Sequence, residues 1–217
     1  MNLEQARFNM VEQQVRPWSV LDATVLQTME SIPRDAFTPE DQISLAYADV
    51  EIPLGHDESM LFPRVEGRML QELELDINDE CLLVGTGSGY TTACMASMSK
   101  HVDSIDIYDD FLQQATENLA SVNIANCKLE NKDALASETL FDKKYNAIAV
   151  TGSIPEYISK FEEMLKPGGR LFIVVGTDPV MHALKIEHQD GKFIRTTLFE
   201  THLKPLVGVE QKSGFSF

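Results

Sequence analysis

The spacing of apolar residues changes character several times along the chain. From Leu3 to about Tyr47 apolar positions recur at helical intervals, as in Leu21, Val25 and Met29, with Asp22 placed to cap and Pro17, Pro33 and Pro39 breaking the stretch into short segments. A helical N-terminal collar is predicted. From Val50 to Pro63 no period is sustained, and Pro53, Gly55 and Pro63 interrupt the string, so an ordered loop should lead into a helix from about Arg64 to Leu75. Loops held this way often carry function.

Between Asp79 and Gly176 short apolar runs (Cys81–Val84, Val102–Ile107, Ala147–Val150, Leu171–Val175) alternate with amphipathic stretches (Tyr90–Met98, Phe111–Val122, Pro155–Leu165). Such alternation implies parallel strands joined by right-handed helical crossovers. Beyond it, Ala183–Glu187 and Phe193–Phe199 flank His188-Gln189-Asp190-Gly191-Lys192, and an Asp-Gly pair between such runs signals a hairpin. The expected fold is a doubly wound, Rossmann-like α/β sheet with an N-terminal helical segment and C-terminal antiparallel strands. It is expected as one domain over 1–217, with helices and loop in 1–78, a ligand-binding core in 79–176 and strands in 177–217.

Composition narrows the function. The 217 residues are 43% hydrophobic and 24% charged, an ordinary balance for a folded globular chain. Eighteen Lys plus Arg against thirty-four Asp plus Glu leave a net charge of −16, which opposes the electrostatics of nucleic-acid binding. No nucleic-acid partner is expected. Cys81, Cys94 and Cys127 match neither a secreted disulfide framework nor a zinc spacing, so they read as reduced thiols and no metal is expected. Glu4, Arg7 and Glu12 stand where a signal peptide needs its apolar stretch, and the run Leu171–Val175 is far too short to span a bilayer. A cytoplasmic location and no membrane association follow as expectations, while nothing sets an oligomeric state.

The most informative string is Val84-Gly85-Thr86-Gly87-Ser88-Gly89-Tyr90, directly after a predicted strand and opening a predicted helix. Gly85, Gly87 and Gly89 allow positive φ and close backbone approach to a ligand, with Thr86 and Ser88 between them, at the strand end where doubly wound sheets bind nucleotides. A dinucleotide fingerprint needs its third glycine three positions after the second, whereas Gly89 follows Gly87 by two, and no Lys-Ser or Lys-Thr follows for a phosphate loop. The turn suits an adenosyl ligand lacking a pyrophosphate, and S-adenosyl-L-methionine fits. Asp106, nineteen residues after Gly87 at the next strand end, is the candidate acceptor for the ribose hydroxyls. Asp133, after the third strand, could accept from the adenine amino group. Leu165-Lys166-Pro167-Gly168-Gly169-Arg170-Leu171 should end a helix and turn into a strand.

Taken together, VGTGSGY, the Asp106 strand end, YNAIAV and LKPGGRL resemble a class I S-adenosylmethionine-dependent methyltransferase. The rest of the chain resembles the narrower protein-L-isoaspartate O-methyltransferase family, through Met10-Val11-Glu12-Gln13, Ile32-Pro33-Arg34, Phe37-Thr38-Pro39, Leu45-Ala46-Tyr47-Ala48-Asp49, Pro53-Leu54-Gly55-His56 and Leu203-Lys204-Pro205-Leu206-Val207-Gly208. The resemblance implies a repair-type carboxyl methylation of peptides or proteins. The family's active loop reads close to Gly-Gln-Thr-Ile-Ser-x-Pro, and here the stretch is Asp57-Glu58-Ser59-Met60-Leu61-Phe62-Pro63. Leu61 takes the place of the serine that the resemblance would set beside the transferred methyl, and Ser59 stands two positions earlier.

Methylating a carboxylate requires no general base, because the nucleophile is already ionised at neutral pH. It does require positioning and a local cation or N–H groups in so acidic a protein, for which Arg64 and Arg68 are candidates. His56 could touch the cofactor, although a bond to backbone is the simpler expectation. Leu61, Ser59, His56 and Arg64 are therefore the candidate catalytic positions, and the acceptor is a peptide or protein carboxylate or a small carboxylic acid. The rival readings are a methyltransferase for another acceptor and a cofactor-binding protein without turnover; the glycine spacing argues against a nicotinamide dehydrogenase.

Overall fold

The computed structural model describes residues 2–136 and 142–209. The N-terminal helical period resolves into α1 (Leu3–Met10), a wide π turn over Val11–Val15, a 3₁₀ turn over Arg16–Trp18 and α2 (Ala23–Ser31). Asp22 caps α2 as its position implies, its Oδ1 accepting from the Val25 N–H at 3.0 Å. Val25 and Met29 are buried, whereas Leu21 lies before the helix and is 72% exposed. The helical period therefore starts one residue after the cap, at Ala23.

The stretch without a period is not an irregular loop. It folds into a small hairpin of β1 (Ile52–Gly55) and β2 (Glu58–Met60), followed by α3 (Pro63–Glu72), with Pro63 in its first turn. His56 and Asp57 form the tight turn at φ +50° and +61°. The crossovers follow: β3 (Glu80–Val84), α4 (Tyr90–Met98), β4 (His101–Asp106), α5 (Asp109–Ser121), β5 (Cys127–Asn131), β6 (Tyr145–Ile154) and β7 (Leu165–Thr177). The chain then doubles back as β8 (Val180–Gln189) and β9 (Lys192–Glu200), joined at Asp190-Gly191 with φ +49° and +74°. The seven-stranded sheet has the order β5-β4-β3-β6-β7-β8-β9, parallel through β7 and antiparallel beyond.

Two expectations fail beside β7. Pro155–Leu165 is not a helix; only a 3₁₀ turn over Glu162–Met164 forms. Glu162 points inward, accepting from the Tyr157 hydroxyl at 2.6 Å and from Arg195 of β9 at 3.0 Å, so tertiary partners override the local amphipathic pattern. The LKPGGRL string consequently ends no helix. It forms a bulge, with Tyr145 opposite Leu165 and Ala147 already opposite Arg170, and Gly168 at φ +77° takes the turn.

α4, α2 and α3 cover one face of the sheet, where Met29, Met69, Cys94 and Phe172 share a core. The other face is filled by Ile148, Phe161, Leu171 and Ile173. Cys81 and Cys94 are buried, Cys127 is half-buried, and all three are free thiols. No helix among the described residues is long and apolar enough to cross a membrane.

Candidate active site

Parallel β3 and β4 end side by side, and the chain after β3 must turn sharply to start α4. Gly85, Gly87 and Gly89 make that turn at φ +91°, +51° and +90°. At Gly85 a side chain is excluded, since a Cβ would sit 2.0 Å from the Thr151 Oγ1. The turn is tied down by Gly85 N–H to the Ile105 carbonyl (2.9 Å) and by the Thr86 hydroxyl to Ser104 (2.7 Å). Asn118 of α5 donates to the Ser88 carbonyl at 2.9 Å.

Asp106 closes β4 with both oxygens engaged, Oδ2 accepting from the Gly87 N–H (2.9 Å) and Oδ1 from the Tyr108 N–H (3.0 Å). Burial raises its carboxyl above the ordinary aspartate value, and the N–H donors of Gly87 and Tyr108 partly offset this. Asp133 follows β5, its Oδ1 accepting from Leu135 and Ala136 N–H groups at 2.7 and 3.1 Å. Gly85 to Ser88, Asp106 and Asp133 all line one cleft, together with Tyr108 and Phe111; Gly89 underlies it against Ala115. Its walls enclose about 1010 Å³, part of it open to solvent.

That cleft continues to the β1–β2 hairpin, where Glu51, Glu58, Ser59 and Leu61 line its far end. Burial raises the carboxyls of Glu51 and Glu58 above their ordinary value. Of the candidate catalytic residues, the structure thus brings Ser59 and Leu61 to the cleft and leaves His56 and Arg64 outside its lining. Among the described residues His56 bonds to no backbone group; its Nε2 lies 2.8 Å from Asp110, and its ring stacks on Tyr108 at 4.0 Å, backing an aromatic wall. Arg64 is held by Asp49 and lies over the rings of Trp18 and Phe62. Arg68 pairs with Glu72 at 3.1 Å and lies over Phe199. Neither arginine lines the cleft, although the charge of Arg64 reaches Glu51 and favours its ionised form.

What the sequence reading missed lies beneath and beside the hairpin. Arg34, fully buried, donates to Glu66 and, through Nη2 at 2.6 Å, to the carbonyl of Leu61. Glu66, also buried, accepts in addition from Thr91 of α4, and Arg34 lies 4.8 Å from the centre of the Tyr90 ring. Burial pushes the Glu66 carboxyl upward against the pull of Arg34 and Thr91. An arginine directly after the apolar pair Ile32-Pro33 was the available signal. Lys204 is the second omission: it lines the cleft from the segment after β9.

A parallel sheet with a glycine turn at the carboxyl end of β3 and a buried aspartate at the end of β4 is a Rossmann-like adenosyl site, and the spacing Gly85, Gly87, Gly89 is that of a methyltransferase rather than a dinucleotide fingerprint. The family described as Protein-L-isoaspartate(D-aspartate) O-methyltransferase (PCMT) matches residues 5–211, and this chain belongs to it. The protein-L-isoaspartate O-methyltransferase of Methanoculleus marisnigri is 31% identical over 202 residues, covering 93% of this chain and 91% of its own. Protein-L-isoaspartate O-methyltransferase 1 of Rhodopseudomonas palustris is 33% identical over 206 residues, covering 94% and 84%. A crystal structure from Plasmodium falciparum, described as a protein-L-isoaspartate O-methyltransferase in complex with S-adenosyl-L-homocysteine, shares the fold with a TM-score of 0.78 at 22% identity over 95% of this chain and 98% of that one.

Proposed function

We propose that this protein transfers the methyl group of S-adenosyl-L-methionine to a carboxylate oxygen, with isoaspartyl groups of peptides and proteins as its acceptor class. The observation that carries the reading is the continuity of the cleft: the glycine turn and Asp106 at one end, and the hairpin residues Ser59 and Leu61 at the other, line one space. The residues fit an adenosyl ligand, because Gly87 leaves bare backbone at the cleft surface, where a Cβ would meet only Leu54, at 3.2 Å. Asp106 keeps acceptor capacity on each oxygen beyond its bond to backbone. Asp106 would take the ribose hydroxyls and Asp133 the adenine edge, and the bound ligand supplies an electrophilic methyl on a sulfonium.

The protein's own contribution is alignment. Tyr108, braced by His56, walls the cofactor half, while the hairpin, tethered through Leu61 to Arg34, holds the acceptor half at a fixed distance. Alignment of two bound reactants supplies up to about 7–11 kcal/mol. The acceptor oxygen forms its bond to the methyl carbon as the carbon–sulfur bond breaks, so carboxylate and sulfonium neutralise each other and no proton moves. We assign the activity to the cytoplasm on the three free thiols, and to peptide rather than nucleic-acid acceptors on the charge of −16.

Leu61 tests the reading. It lines the cleft at 8% exposure with no hydroxyl to offer an acceptor. A lost hydrogen bond to a charged group, about 1.5–3 kcal/mol, corresponds to roughly 10- to 150-fold in rate. In a radiolabelled methyl-transfer assay on isoaspartyl peptides at saturating cofactor, Leu61→Ser should exceed the wild type. Robust wild-type transfer with no gain from serine would show the hydroxyl dispensable; no transfer by either protein to isoaspartyl peptides or small acids would reject the acceptor class.

A further inference from the structure

An anionic acceptor entering this cleft meets carboxylates almost everywhere: Glu51, Glu58, Glu66, Asp106 and Asp133 all line it. Its described lining holds two cations, Lys132 and Lys204. Lys132 follows β5 next to Asp133, on the adenosine side, with Glu130 at 3.4 Å. Lys204 stands at the other end, close enough to Glu51 and Glu58 to favour their ionised forms.

The backbone of Lys204 is fixed. Its carbonyl accepts from the Ser153 N–H at 2.8 Å, the Leu206 N–H donates back to the Ser153 carbonyl at 2.8 Å, and the Ser153 hydroxyl donates to the Leu203 carbonyl at 2.8 Å. Its side chain crosses the mouth of the cleft to Asp57 at the hairpin tip, Nζ to Oδ1 3.0 Å. Asp57 is fully exposed, and an exposed pair of this kind is worth little and exchanges readily. A carboxylate presented inside the cleft, away from bulk water, competes well against it.

We propose that Lys204 binds the acceptor carboxylate, and that Asp57 occupies the ammonium as an internal stand-in until the acceptor displaces it. The inference rests on the carboxylate reading above. One acceptor oxygen pairs with Lys204 while the other forms the new bond to the methyl carbon. The product is a neutral ester, which no longer competes for the ammonium, so Asp57 reclaims Lys204 as the product leaves. The serine hydroxyl lost at Leu61 and the cation gained at Lys204 are then two parts of one arrangement for holding the acceptor.

The test is steady-state methyl transfer to an isoaspartyl peptide, with S-adenosylhomocysteine affinity measured by calorimetry alongside. Lys204→Met should raise the acceptor KM by roughly tenfold or more, the factor carried by a lost charge-assisted hydrogen bond, and leave cofactor affinity unchanged. Lys204→Arg should recover part of that loss. Asp57→Asn, at an exposed left-handed turn position that asparagine adopts well, should lower the acceptor KM by up to about fivefold. That gain should vanish in the Lys204→Met background, which a merely structural lysine would not produce. An active wild type whose KM is unmoved by both Lys204→Met and Asp57→Asn overturns the inference and leaves the carboxylate reading standing; should Lys204→Met not fold, Asp57→Asn alone decides on the same criterion. A wild type that binds and methylates no carboxylate overturns both.

Discussion

Replacing Arg34 by methionine removes one guanidinium from a place that water does not reach. Arg34 is 0% and Glu66 2% exposed, so the variant strands a carboxylate and leaves the Leu61 carbonyl without its donor. Breaking a buried pair from one side costs about 3–5 kcal/mol. In a domain of this size each kcal/mol moves the melting temperature by about 2–4 °C, so Arg34→Met should melt roughly 6–20 °C below the wild type. Thr91 still donates to Glu66, and a carboxyl already pushed upward by burial can take up a proton, which places the cost toward the lower end. Replacing Glu66 by methionine as well removes the stranded charge. The double variant should regain most of the loss, short of the about 1–3 kcal/mol for the unpaired carbonyl of Leu61. Urea titrations of the wild type, Arg34→Met, Glu66→Met and the double variant at neutral pH give the coupling energy directly. Additive costs, or an Arg34→Met variant within 1 kcal/mol of the wild type, would refute the account of this pair. Recovery of stability without recovery of methyl transfer would locate the functional part of Arg34 in its bond to Leu61.

Three further outcomes are expected. Asp106→Ala should weaken S-adenosylhomocysteine binding by about 1.5–3 kcal/mol in calorimetry, and Asp106→Asn by less because one carbonyl acceptor remains; unchanged affinity in both would detach Asp106 from the ribose. Gly85→Val should lower cofactor affinity at least tenfold, because its Cβ falls 2.0 Å from the Thr151 Oγ1, and adding Thr151→Ala should restore only part, since the φ of +91° persists; full restoration would show that contact alone mattered. Burial alone would raise the Asp103 carboxyl, but bonds from Lys143 (2.7 Å) and Tyr145 (2.9 Å) hold it below the ordinary value. Its stabilising effect is therefore present above the unfolded aspartate pKa of about 3.9 and is lost as pH falls through the lower folded value. Asp103→Asn should accordingly flatten the acid limb of stability against pH, and identical limbs would contradict this.

The geometry of the glycine turn was legible because its information is local: three glycines, a strand before and a helix after specify the turn, and Asp106 falls at a strand end by count alone. The strands were legible for the same reason, since β3 and β4 fall within a residue or so of their apolar runs. The hairpin end of the cleft was not legible. Arg34 and Glu66 are thirty-two residues apart, and their meeting depends on how α3 packs, which no short pattern encodes. Arg64 looked available because it stands on the first turn after the active loop, yet Asp49 from a preceding turn claims it. Pro155–Leu165 read as an amphipathic helix, but Arg195, from a strand thirty-three positions after Glu162, draws that carboxylate inward.

The antiparallel excursion of β8 and β9 acts as a ruler. The chain leaves the cleft side of the sheet, reverses at Asp190-Gly191, and returns to set residues 203–207 against Ser153. Each residue of strand measures about 3.4 Å and successive residues face opposite ways. Deleting one residue from β9 alone would therefore withdraw Lys204 by a residue's length and turn its neighbours over, while adding two residues to each strand at the distant turn would leave the cleft untouched. Proteins of this design should tolerate insertions at the Asp190-Gly191 tip in matched pairs and almost nowhere between that tip and Lys204, a rule that a small library of hairpin-length variants could read out by growth of soluble, cofactor-binding protein.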